Sequence, residues 1–79
     1  MANIPLTAAA WTPFPISASA GTVTVKNTIS NGPLYVRFLV GGVIVREFKL
    51  QPLEQRLVDF PAGATAVAGC GFAQTITVV

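Results

Sequence analysis

The chain has no histidine, a single cysteine and only three acidic residues, Glu47, Glu54 and Asp59. These shortages exclude most chemistry. Cys70 has no second cysteine for an intrachain disulfide and no imidazole to activate its thiol. A structural zinc site takes four Cys, His or carboxylate ligands at tight spacing, and this chain cannot assemble such a set. Glu54 and Asp59 stand among polar corner residues, where solvated carboxylates are the simpler expectation. Catalysis needs a nucleophile with its base, paired carboxylates or a metal. The expectation is therefore a protein that is not an enzyme and carries no cofactor. Gly41-Gly42 precedes a strand pattern rather than a helix, so it is no phosphate loop. Cys70, in the stretch AGCGF, reads as a small apolar packing residue.

Charge is also scarce. Charged residues make up 10 % of the chain, against about 25 % in a typical soluble domain. The net charge is +2, and Lys26, Arg37, Arg46, Lys49 and Arg56 are scattered among the acids. Nucleic-acid binders cluster their cations on one face, so no nucleic-acid partner is expected. No apolar run approaches the ~18 residues of a membrane span, and no membrane partner is expected either. The opening MANIPLTAAAWTPFPISASAG ends in small residues like a cleavage site. It has no basic stretch, and Pro5, Pro13 and Pro15 interrupt its apolar part. It is not read as a signal peptide, which implies synthesis in the cytoplasm with Cys70 reduced.

What the chain does have is apolar content, 52 % of its 79 residues. That length makes one domain. A domain so small hides only roughly 60 % of the surface its unfolded form exposes. Such domains usually gain support from disulfides, metals or partner subunits. With the first two excluded, oligomerisation or docking on a larger assembly remains. Six of the eight charged residues fall between 46 and 59, and residues 1–25 and 60–79 have none. Those uncharged flanks are either subunit contacts or ordinary strands and turns rich in Ala, Thr and Ser.

The pattern is that of an all-β protein. TPFPIS suits an edge strand, where prolines are tolerated. GTVTVKNT alternates Val with Thr and Lys. SNGP turns the chain into LYVRFLV and VIVREFKL; QPLEQ makes a polar corner before RLVDF; PAGA precedes ATAVAG and QTITVV. About seven short strands with regular turns predict a small antiparallel β-sandwich, or a small jelly roll or partly open barrel. LEQRLVDF competes as a helix of one turn, which Pro61 stops. Residues 11–79 form the sandwich. Residues 1–10 read as an extended arm that orders on a neighbour, with Ile4 and Leu6, and Trp11 beside them, as its contacts.

The hairpin LYVRFLVGGVIVREFKL needs a register. A two-residue turn at Gly41-Gly42 would pair Val40 with Val43 and set Arg37 opposite Arg46, a like-charge pair. It would also put Leu34 and Phe38 beside Glu47 and Lys49. One extra residue flips the second strand. A three-residue loop with a bulge is therefore expected, with Gly42 left-handed and Arg37 near Glu47. Leu34, Val36, Phe38, Ile44, Phe48 and Leu50 then share the core face. The other face retains Tyr35, Leu39, Val43 and Val45, too apolar for a solvated surface, and is read as covered by a neighbour. Arg46 falls on the core face. Either it snorkels to water from a strand end, or it makes an interface ion pair. Trp11, Phe14 and Tyr35 are core or anchor residues, or a platform for stacking a sugar. The candidate interface residues are Ile4, Leu6, Trp11, Phe14, Tyr35, Leu39 and Arg46.

GTVTVKNT, GPLYVR, FPAGATAVAG and the closing TITVV together resemble the small β-sandwich virion proteins of tailed bacteriophages, the capsid decoration and auxiliary structural proteins. The resemblance spans residues 11–79 and rests on strand order and turn phrasing. That family often has Pro-Gly-Glu before its fifth strand, where this chain has QPLEQ. The resemblance implies a virion location and a homo-oligomer, often a trimer, seated on the major capsid protein and reinforcing the shell. A tail, fibre or head-to-tail connector module and a carbohydrate-binding sandwich are the alternatives.

Overall fold

A computed structural model describes residues 2–79, and among them every regular element is a β-strand. The eight strands are β1 (Ala2–Leu6), β2 (Ala10–Phe14), β3 (Gly21–Lys26), β4 (Leu34–Val40), β5 (Val43–Leu50), β6 (Gln55–Phe60), β7 (Thr65–Cys70) and β8 (Gln74–Val78). They form two antiparallel four-stranded sheets, β1-β8-β3-β6 and β2-β7-β4-β5. Pairing runs β1 with β8, β2 with β7, β3 with β6 and β4 with β5. This is one long hairpin rolled up on itself, the winding of a jelly roll. The RLVDF segment is strand β6, not a helical turn.

Alternation fills the space between the sheets. Val23 and Val25 of β3, Leu34, Val36 and Phe38 of β4, and Ile76 and Val78 of β8 all point inward and are buried. Beside β4 in the same sheet, β7 supplies Ala66, Ala68 and Cys70. Small residues on this central strand let the large ones of β3 and β8 opposite approach. Phe38 is fully buried, stacked on Phe60 at 5.4 Å and edge-on to Phe48 at 6.1 Å. Cys70 is a buried free thiol that accepts from Gln74 Nε2 at 3.1 Å.

The arm expected over residues 1–10 is corrected. Residues 2–6 are strand β1 of the chain's own sandwich, with Ile4 and Leu6 in the core beside β8; residue 1 lies outside the described residues. The physical reason is that Ile4 and Leu6 are two apart, so both point to one face. Their burial is worth on the order of 1.5–3 kcal/mol each, more than a free arm can recover. Pro5 points outward on an edge strand, which tolerates it.

The loop of the β4–β5 hairpin is corrected as well. It is a two-residue turn in which Gly41 and Gly42 both have positive φ, 60° and 81°, the requirement of a type I′ turn. The extra residue sits farther along, as a bulge. Leu39 opposes Ile44 and Phe38 opposes Arg46, leaving Val45 without a partner. Beyond the bulge Arg37 pairs with Glu47, Val36 with Phe48 and Leu34 with Leu50. The faces match as the alternation argument required. Ile44 does not: it lies on the turn side of the bulge, opposite Leu39, and is 47 % exposed rather than part of the core.

Asn27 ties the loops at one end of the sandwich. It is fully buried. Its amide donates to the carbonyls of Gly32 at 2.8 Å and Gln51 at 3.2 Å. Its oxygen accepts from the Ile29 amide at 3.4 Å. One side chain thereby satisfies both the β3–β4 and β5–β6 connections, as a buried amide must. In the adjoining corner Glu54 accepts from the Gln51 amide at 2.7 Å and from Arg56. Those bonds hold its carboxyl below the usual carboxylate range, the Gln51 amide first and Arg56 second.

Candidate protein-contact surface

The outer face of the β2-β7-β4-β5 sheet is built in rows across the four strands. One row is Trp11, Gly69, Tyr35 and Lys49; the next is Pro13, Val67, Arg37 and Glu47. Gly69 is what makes the first row possible. A Cβ there would lie 2.8 Å from Cε3 of Trp11, so the indole lies down across β7 only because that position has no side chain. The Arg37 guanidinium stacks on the ring 4.2 Å from its centroid, a favourable cation–π geometry. Arg37 Nε also donates to Glu47 Oε2. Three strands are thus linked by one indole, one guanidinium and one carboxylate. Trp11 remains 44 % exposed, and a shallow hollow of about 190 Å³ opens beside it between Ala9, Tyr35 and Cys70.

The rows run into the β4–β5 tip. Val40, Val43, Ile44 and Val45 are exposed there, on both faces of the hairpin. The tip outreaches the neighbouring strand, because β7 pairs with β4 only as far as Leu39. The two glycines at its apex meet nothing in the chain. β-branched residues in a strand give a stiff surface, and four of them in water without a covering neighbour form an apolar patch of the kind that marks contact sites.

Of the expected interface residues, the fold brings Trp11, Tyr35 and Leu39 together on this outer face. It does not place Ile4, Leu6 and Phe14 there. All three are buried in the core, a correction for each. Phe14 shares the inward face of β2 with Thr12, opposite Trp11, because strand neighbours alternate. Arg46 lies on the inward face of β5 but at the open margin of the sandwich. There it reaches across to Asp59 of β6 at 3.7 Å, with both side chains about half exposed. Its ion pair joins the two sheets of the same chain.

Of the three aromatics named for a sugar platform, Trp11 and Tyr35 share the outer face. Phe14 is inside, and the Trp11 ring carries the Arg37 guanidinium. Among the described residues no group of three or more His, Cys, Asp or Glu is placed to hold a metal ion.

Leu53, Leu57, Phe72 and Val79 are exposed apolar residues that escaped the sequence reading. Leu53 is 57 % exposed and holds a positive φ of 62° in the QPLEQ corner. Its turn is closed by the Glu54 amide donating to the Gln51 carbonyl at 3.0 Å. Leu57 is 64 % exposed on β6. The strict alternation of QRLVDF, which buries Val58 and Phe60, was the available signal for it.

Comparison of the chain with protein-family models, curated proteins and solved structures found no match.

Proposed function

We propose that this chain is a non-enzymatic structural protein of a bacteriophage virion, a capsid decoration protein that oligomerises and docks on the major capsid protein. The observation that carries the reading is the uncovered apolar surface that runs from Trp11 to the β4–β5 tip. The jelly-roll winding supports it, since viral capsid domains use that architecture. Lectins and cupins use it too, and fold alone assigns no function. What favours a protein partner over a glycan is the form of the surface, with an indole already stacked and an aliphatic tip projecting beyond it. The virion setting rests on the resemblance of GTVTVKNT, GPLYVR, FPAGATAVAG and TITVV to the phage proteins.

Co-sedimentation with capsid shells from the same source tests the reading. The intact protein should pellet with the shells, and Ile44→Asp at the tip should remain in the supernatant while keeping its fold. A folded wild-type protein that never pellets with shells would overturn it. Pelleting with tails instead would move the protein to another part of the particle.

A further inference from the structure

The sandwich has two open sides. On one, the edge strands are β1 and β2; on the other, β5 and β6. The first side has a proline in each strand, Pro5 and Pro13. Proline cannot donate to an incoming strand and is a usual means of blunting an edge. Neither VIVREFKL nor QRLVDF contains one.

We propose that the β5/β6 side pairs with the same side of a second copy across a two-fold axis centred on Phe48. The argument is charge register. A two-fold axis perpendicular to the sheet sets one residue of β5 against its own copy, and every other pairing follows. Centring on Arg46, Glu47 or Lys49 puts like charges in direct opposition, which is destabilising. Centring on Val43, Ile44 or Val45 opposes no acid to a base within β5. Centring on Phe48 sets Glu47 against Lys49 of the second copy, and by symmetry does so twice. Charge thus forbids three registers, leaves those centred on Val43, Ile44, Val45 and Leu50 without an acid–base pair within β5, and favours this one, which is how an exposed edge is made specific.

A second observation meets the first. The Arg46–Asp59 ion pair, 3.7 Å across the sheets, fixes the relative height of β5 and β6. Two residues from Arg46 is Phe48; two residues from Asp59, in the same spatial direction because the strands run oppositely, is Leu57. The axis through Phe48 therefore passes near Leu57, the one large apolar side chain among the outward residues of β6 and 64 % exposed. Leu57 meets its own copy there. Phe48, half-buried against Phe38, meets its own copy on the core side, so the cores of the two chains become continuous.

This pairing uses the free backbone edge of β5 and β6, whereas shell docking uses the outer face and the tip; Glu47 and Lys49 border both. Light scattering of the full chain at rising concentration reads it directly. The mass should approach twice 8.2 kDa. Lys49→Glu should raise the dissociation constant about tenfold or more, since two attractive pairs become repulsive. Leu57→Asp should do the same, and Val43→Asp at the tip should not. Thermal unfolding checks that each variant is folded. The decisive arm is mixing. Lys49→Glu and Glu47→Lys chains each oppose like charges with themselves but opposite charges with one another. Neither should pair alone, and together they should form a heterodimer. A wild-type monomer, a mass three times that of the chain, or a mixture that stays monomeric overturns the proposal. So does a dimer broken by Val43→Asp and not by Lys49→Glu.

Discussion

The outer faces of the two sheets are made of the same kind of strand and differ in what they show to water. The β1-β8-β3-β6 sheet presents Thr22, Thr24, Thr75, Thr77, Asn3 and Lys26, with Leu57 at its margin and Val79 opposite Thr24 as the large apolar exceptions. The β2-β7-β4-β5 sheet presents Trp11, Tyr35, Val67 and Leu39 with the Arg37–Glu47 pair. Burial of the inward residues is similar in both, so folding alone does not ask for the difference. A threonine face satisfies β-propensity and stays wet. An aromatic and aliphatic face satisfies the same propensity and gains from being covered. The lesson is that the informative apolar residues in so apolar a chain are those that the core leaves over.

The sharpest break of this comparison removes the fold that both faces share. Deleting residues 2–6 takes away β1 with Ile4 and Leu6. It should cost on the order of 3–6 kcal/mol from the two buried side chains alone, enough to unfold a domain of ordinary marginal stability. Urea titration reads this. A truncated chain with an unchanged midpoint would return those residues to the status of an arm.

Next in size is Phe38→Ala, which empties the space between Phe60 and Phe48 and should cost about 3–5 kcal/mol. Ile44→Ala, a comparable truncation on the uncovered tip, should shift stability by no more than about 0.5 kcal/mol. If both substitutions cost the same, the tip belongs to the core.

Gly69→Val acts on one outer face only. Its side chain occupies the place of the indole, so Trp11 must lift from β7 and leave Arg37. Shell binding should weaken more than stability does, whereas Thr75→Val on the threonine face should alter neither binding nor fold. Equal losses of binding from the two substitutions would erase the distinction between the faces.

The smallest effect is in acid. The folded carboxyl of Glu54 titrates below its ordinary range because the Gln51 amide and Arg56 favour the ionised form. Its contribution to stability is therefore present above the unfolded value of about 4.3. It is lost as pH falls through the lowered folded value. Glu54→Gln should flatten the stability profile in that acidic window and lower its plateau slightly near neutrality, where the ionised carboxyl contributes. A profile that keeps its acid slope in the variant assigns the slope to other groups.

Alternation alone was enough to read seven of the eight strands and the facing of most of their side chains, because burial on one side of a strand has a period of two. Strand β1 was hidden by Pro5, which looks like a breaker until the strand is known to be an edge. The need for one extra residue in the β4–β5 hairpin was legible in the charges of Arg37, Arg46 and Glu47. Its location was not, since a bulge at Val45 and a longer loop at Gly41-Gly42 restore the same faces beyond them. Val43 and Ile44, between the two, were the residues that the ambiguity misplaced, each on the other's face. At the contact surface, Val43, paired with Val40, lies on the opposite face of the hairpin from the one expected, whereas Tyr35 and Leu39 were legible as outward residues too apolar for water. The stacking of Trp11 on Gly69 was not, because it joins positions 58 residues apart (69 − 11) that only the β2–β7 pairing brings together. The bonding of Asn27 was likewise invisible, as its partners come from two separate loops.

Trp11 is the sole tryptophan, and its indole lies across β7 on the outer face proposed to meet the shell. Incorporating 5-fluorotryptophan gives a single ¹⁹F resonance that reports on that face and no other. On addition of shells from the same source, the account predicts that this resonance shifts or broadens beyond detection while the unbound protein keeps its sharp line. A resonance that stays sharp and unmoved with shells in excess would contradict it.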